Sequence, residues 1–345
     1  MGYRSILVGT DGSETALLAV RSASRLARPF RAEVQIVCAH GDGLEEPTAT
    51  EALRGAREAA GAEGVEATTH MQKGQPAEVM KELAGLYGAD IIVVGNVGMG
   101  KARRFKLGGI AERVAHQAPC DVLIVHTRDL QAPEGEYRQL LVGTDGSATA
   151  TEAARKGFEL AEILGAEVTL VYVGDPLVGA VVLEETAKGR PGSAPAHTEV
   201  VAGGDPAARL TERARRGDVD LMVVGNKGMA GAHRYLLGSV PSKVAHESPI
   251  DVLIAKTVGR TVDDLAPGHG GLVDVAGRRL AVYRAEGGGL IALSPRCQHM
   301  GCTVDWNDAD KTWDCPCHGS RYRFDGGVIK GPAKKDLDRV DVEPA

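Results

Sequence analysis

The first 258 residues contain an internal repeat, and this duplication restricts the fold more than any other feature of the chain. Ile6-Leu7-Val8-Gly9-Thr10-Asp11-Gly12-Ser13 returns as Leu140-Leu141-Val142-Gly143-Thr144-Asp145-Gly146-Ser147. Gly95-Asn96-Val97-Gly98-Met99 returns as Gly225-Asn226-Lys227-Gly228-Met229. His116, Pro119 and Asp121-Val122-Leu123-Ile124 return as His246, Pro249 and Asp251-Val252-Leu253-Ile254. Copies about one domain apart are two versions of one fold, not a solenoid of short repeats. In copy one, short apolar runs near 4–10, 33–39, 65–71, 90–95 and 121–126 read as strands buried on both faces. Helices fit 13–28, 49–62, 76–87 and 108–117, with Ser13 and Ser147 as N-caps. Copy two repeats the scheme, except that 178–196 is rich in Gly and Pro and gives no clear helix signal. Alternating strands and helices predict a parallel α/β sheet in each copy.

Both copies resemble the universal stress protein family over essentially all of residues 1–258. Its nucleotide-binding members carry Gly-x-x-Gly, nine residues, then Gly-Ser/Thr. Copy two fits in full with Gly225, Gly228, Gly238 and Ser239. Such glycines let backbone N–H groups approach phosphates, and the helix that starts near Gly238-Ser239 turns its positive end toward them. By resemblance, Asp145 bonds the ribose and the Val173 backbone meets the adenine. Copy one offers Asp11, Gly95, Gly98 and Gly108, but Gly109 stands where the hydroxyl belongs. The expected ligand is ATP or a related adenine nucleotide, bound by copy two in preference to copy one. Glycines that only make tight turns are the alternative for both copies. Single-domain members of this family usually pair, which implies an internal pseudo-dimer here.

The C-terminal part carries a different signal. Four of the six cysteines lie in Cys297-Gln298-His299-Met300-Gly301-Cys302 and Cys315-Pro316-Cys317-His318-Gly319-Ser320. Two thiolates and two imidazoles suit a [2Fe–2S] cluster with Cys on one iron and His on the other, or a tetrahedral zinc. Cys-x-His is a poor zinc-finger spacing, and zinc leaves two cysteines unexplained. The segment resembles the Rieske family, down to the CPCHGS run. That resemblance implies Cys297, His299, Cys315 and His318 as ligands and a Cys302–Cys317 disulfide between the two ligand loops. It makes Ser320 and Tyr322 hydroxyl donors that favour the reduced cluster, and Gly331-Pro332-Ala333 the covering loop. Met300 stands where many relatives have Leu. Strands are expected at 280–283, 290–293, 312–315 and 321–324, a small antiparallel β domain. Electrons and protons would leave by the outward-facing histidines. The stretch from Trp306 to Pro332 also resembles the Rieske tails of soluble bacterial flavin oxidoreductases.

The expected architecture is therefore α/β plus all-β, with domains at 1–128, 137–258 and 263–345. A net charge of −6 gives no support for nucleic acid or an anionic membrane as partner. No run approaches the roughly 20 apolar residues of a membrane span. The opening residues show no apolar signal segment, so a cytoplasmic protein is expected, against which a disulfide sits awkwardly. The leading reading is an electron-transfer or redox-sensing protein whose partner is a redox protein, a quinone or a flavoprotein. The alternatives are a nucleotide-binding stress protein with weak ATPase activity, or an electron-transfer component of an oxidoreductase or oxygenase system. No general base stands beside the phosphate glycines and no 2-His-1-carboxylate set is present, so intrinsic catalysis is not expected. Cys38 and Cys120 read as small buried hydrophobes, and His116 and His246 as helix ends without a catalytic role.

Overall fold

The computed structural model describes residues 2–41, 44–96, 107–126, 136–226, 237–256, 262, 265–275, 278–315 and 318–340. The chain divides into two units, Met1–Thr257 and Val258–Ala345. In the first unit, copy one runs β1 (Ser5–Gly9), α1 (Glu14–Phe30), β2 (Glu33–His40), α2 (Glu46–Ala62), β3 (Ala67–Lys73), α3 (Pro76–Leu86), β4 (Ile91–Gly95), α4 (Gly109–Gln117) and β5 (Asp121–Val125). Copy two runs β6 (Gln139–Gly143), α5 (Ala148–Leu164), β7 (Glu167–Gly174), α6 (Pro176–Lys188), β8 (Ala196–Ala202), α7 (Pro206–Ala214), β9 (Leu221–Gly225), α8 (Ser239–Glu247) and β10 (Asp251–Ala255).

All ten strands form one sheet in the order β3-β2-β1-β4-β5-β10-β9-β6-β7-β8. Pairing is parallel within each copy and antiparallel where β5 meets β10, centred on Leu123 opposite Leu253. Strand side chains alternate faces. Ile6 and Val8 accordingly enter a core with α1, α2 and α5, while Leu7 enters a second with α3, α4, α7 and α8. Both cores run through both copies, which explains why the central strands β1, β4, β5, β6, β9 and β10 are apolar at nearly every position.

Local signals hold at the helix starts. Ser13 and Ser147 cap α1 and α5, accepting from the N–H groups of Ala16 and Ala150 at 3.2 and 3.3 Å. The region without a helix signal does contain a helix, α6. Asp175 caps it by accepting from Leu177 and Val178, and Pro176 opens it. Its period is obscured because Leu177, Val178 and Val181 are apolar yet exposed.

The join buries a matched pair of carboxylates. Asp121 accepts from the Lys256 N–H (2.8 Å), the Tyr3 hydroxyl (3.0 Å) and the Lys156 ammonium (2.6 Å). Asp251 accepts from the His126 N–H (2.8 Å) and the Tyr137 hydroxyl (2.7 Å). Each aspartate thus holds the other copy's strand end and its own copy's tyrosine. Burial pushes Asp251 up to about 6 against the hydrogen bonds from Tyr137 and His126. Burial also raises Asp121, with Lys156 opposing.

The second unit is antiparallel β. It has a three-stranded sheet of β11 (His269–Val275), β12 (Arg278–Arg284) and β13 (Leu290–Leu293). A four-stranded sheet follows, of β14 (Asp305–Asn307), β15 (Thr312–Asp314), β16 (Arg321–Arg323) and β17 (Val328–Lys330). The sequence signalled β12, β13, β15 and β16 but not β11, β14 or β17. β14 and β17 have three residues each, as do β15 and β16, so length alone does not separate the missed strands from those signalled. Trp313 and Tyr322 are fully buried in a core that also takes in Cys297 and Cys315. Among the described residues, no helix is long and apolar enough to cross a membrane.

Candidate cluster site and candidate nucleotide site

The two Cys/His loops are built alike. The Cys297 N–H donates to the Cys302 carbonyl (2.8 Å), and the Gly301 N–H returns to the Cys297 carbonyl (2.9 Å). The Cys315 N–H donates to the Ser320 carbonyl (2.7 Å), and the Gly319 N–H returns to the Cys315 carbonyl (3.0 Å). Each loop closes through a glycine in the left-handed region, φ +75° at Gly301 and +73° at Gly319, where a side chain would be strained. The common frame sets both thiols inward and buried, while His299 and His318 are exposed.

The Tyr322 hydroxyl accepts from the Gln298 N–H at 3.1 Å, which directs its proton to the Cys297 Sγ, also at 3.1 Å. Ser320 is fully buried, and its Oγ accepts from the Ala333 N–H at 3.0 Å, tying the Gly331-Pro332-Ala333 segment to the site. Burial works to raise the Cys297 thiol. Hydrogen bonds from Tyr322, the His299 backbone, Cys315 and Ser320 outweigh it and hold the thiol below the ordinary range. Burial and the adjoining Cys297 push Tyr322 up, keeping it a protonated donor.

These residues fit a thiolate-bound cluster. Two thiols lie within hydrogen-bonding reach of each other, and the two imidazoles meet edge to face with ring centroids 4.8 Å apart. Ligands grouped in pairs are what a two-iron centre takes. Cys297 and Cys315 are free thiols, whereas Cys302 is disulfide-bonded. Cys317 lies outside the described residues.

The candidate nucleotide residues gather at the C-terminal edge of the parallel strands. β6 lies between β7 and β9, so Asp145, Val173 and Gly225 come to one edge, at the crevice where ligands of open α/β sheets bind. A side chain at Gly225 would place its Cβ 2.8 Å from the Thr149 carbonyl oxygen, so only glycine fits. The Gly238 N–H donates to the Asn226 carbonyl (2.9 Å), and in copy one Gly108 donates to Asn96 (2.7 Å). Gly238 and Gly108 are the N-caps of α8 and α4, and neither helix has a side-chain cap. Uncapped first-turn N–H groups suit an anion. Asp145 and Asp11 each accept from the N–H of the serine two residues on, at 3.0 Å. Gly98 and Gly228 lie outside the described residues.

Sequence reading missed the residues that join the copies. Tyr3 and Tyr137 repeat, as do Asp121 and Asp251, so a charged residue recurring inside an apolar strand was a usable signal. Lys156 and Lys256 have no like residue in copy one, where Ser22 and His126 stand, and gave none.

Comparisons with known proteins agree with both halves. The Universal stress protein family matches residues 2–126 and 136–256, and the Rieske [2Fe-2S] domain matches 256–341. The Rieske 2Fe-2S iron-sulfur protein YhfW of Bacillus subtilis is 47% identical over 81 residues, 24% of this chain but only 16% of that protein. The cytochrome b6-f complex iron-sulfur subunit of Chlorobaculum thiosulfatiphilum is 33% identical over 144 residues, covering 41% of this chain and 78% of that one. A universal stress protein of Archaeoglobus fulgidus shares the fold at a TM-score of 0.59 and 19% identity, over 73% of this chain and 98% of that one. The chain belongs to the universal stress protein family, in two tandem copies, and carries a Rieske [2Fe-2S] domain at its C-terminal end.

Proposed function

We propose that the protein is a one-electron carrier or redox sensor whose Rieske cluster is held by Cys297 and Cys315 on one side and His299 and His318 on the other. The observation that carries this is the pair of like-built loops presenting two buried thiols beside Tyr322 and Ser320. The group itself supplies one-electron chemistry when bound. The Tyr322 and Ser320 hydroxyls donate toward thiolate charge, which is greatest in the reduced state, and so favour reduction. The exposed imidazoles form the edge that a redox protein, quinone or flavoprotein would approach, and Cys302 bonded to Cys317 would tie the loops together. Copy two adds an adenine-nucleotide site from Asp145, Val173, Gly225, Gly228, Gly238 and Ser239. The continuous ten-stranded sheet supports reading the tandem copies as an internal pseudo-dimer, working in the cytoplasm.

A spectrum of the purified chain, oxidised and reduced, with iron analysis tests the cluster. Tyr322→Phe and Ser320→Ala should each lower the midpoint potential while iron stays bound. Zinc in place of iron, or a potential unmoved by both changes, would overturn the reading.

A further inference from the structure

The two copies meet at their phosphate-side helices as well as at the sheet. His116 ends α4 of copy one, and its Nδ1 accepts from the Leu237 N–H of copy two at 3.2 Å. Leu237 is buried and immediately precedes Gly238-Ser239, where α8 begins. The end of α4 is itself held from copy two, because the Lys256 Nζ donates to the Ala115 carbonyl at 2.6 Å. The counterpart histidine does otherwise: the His246 Nδ1 faces the Ser242 carbonyl of its own helix at 2.9 Å.

We infer that His116 of copy one is a positioning residue for the nucleotide site of copy two, fixing the turn at Leu237-Gly238 from which the first N–H groups of α8 reach the phosphates. This rests on the nucleotide reading above. A backbone N–H held from outside its own loop costs less to order when ligand arrives, so the bond strengthens binding without touching the nucleotide. The role needs a neutral ring with its proton on Nε2. Burial lowers the His116 pKa, Lys256 and His246 add to that, and Glu112 opposes it. Copy one, which has Gly109 in place of the phosphate hydroxyl, then serves as part of its neighbour's site.

Calorimetry with MgATP on the full chain tests this, alongside hydrogen exchange at the Leu237 amide without nucleotide. His116→Leu should weaken ATP binding about fivefold, the worth of one neutral hydrogen bond, and should speed Leu237 exchange. His116→Asn, whose side-chain oxygen stands near the Nδ1 position, should restore both. His246→Leu should leave affinity unchanged. Should the His116→Leu chain fail to fold, His116→Gln, with its acceptor one bond farther out, serves as the disrupted variant. Unchanged affinity in His116→Leu, or equal loss in His116→Asn, overturns the inference alone. A parent chain that does not bind ATP removes the nucleotide reading and this inference with it.

Discussion

Copy one and copy two bury equivalent aspartates at their join, but among the described residues only Asp121 has a lysine ammonium bonded to it. Lys156 donates to Asp121, while Asp251 is held by the Tyr137 hydroxyl and a backbone N–H. A duplicated gene starts with identical halves and an exact two-fold axis. Once both halves lie in one chain, each side of the axis can change alone, and here the lysine beside the aspartate, the Ser239 hydroxyl and the contact of the helix-end histidine are all one-sided. Two identical subunits cannot differ in this way.

The comparison breaks most readily at Asp121. Asp121→Asn removes the partner of a largely buried ammonium and should cost about 3 kcal/mol. Urea unfolding followed by far-ultraviolet circular dichroism measures it, since Trp306 and Trp313 are the chain's two tryptophans and report only the second unit. A loss no larger than that of an exposed Asp→Asn control would show that Lys156 gains nothing from the pair.

Asp251, raised by burial like Asp121, should make stability depend on pH. Its pKa in the fold, about 6, lies above the ordinary carboxylate value, so the native state keeps a proton that the unfolded chain gives up. Its contribution is therefore fully present below about pH 4 and lost as pH rises through about 6, a change of about 3 kcal/mol. Asp251→Asn should flatten the parent's decline over that interval. Parallel pH profiles for parent and variant would mean that Asp251 is ionised in the fold throughout.

Exchanging Ser239 and Gly109 sharpens the comparison at the two proposed nucleotide sites. Ser239→Gly should weaken ATP at copy two by roughly tenfold, and Gly109→Ser should strengthen copy one in return, because a hydrogen bond to a charged group contributes about 1.5–3 kcal/mol. Calorimetry on the two variants decides it, and equal affinities at both sites in the parent would remove the asymmetry. The smallest effect belongs to what the copies still share. Ser13→Ala and Ser147→Ala should each cost about 1 kcal/mol, read as equal shifts of the urea midpoint. Unequal costs would place the divergence even in the caps.

Much of this molecule is legible in its sequence. The repeat, the apolar strands and the Ser caps define the α/β halves because strand burial and helix capping are local in sequence. The Cys/His loops are legible too, since each Cys/His pair sits within one short turn and needs a glycine at a fixed offset. β11, β14 and β17 are not, because their order comes from pairing with neighbouring strands. The single ten-stranded sheet, the Asp121–Lys156 pair and the contact of His116 with Leu237 are likewise out of reach. They join residues 35 to 135 positions apart across the join, and only the antiparallel meeting of β5 with β10 brings them together. The sequence set what each copy could form alone, because those choices depend on neighbours in the chain. Tertiary structure decided how the copies differ, because a buried charge or a borrowed hydrogen bond has meaning only once its partner is in place.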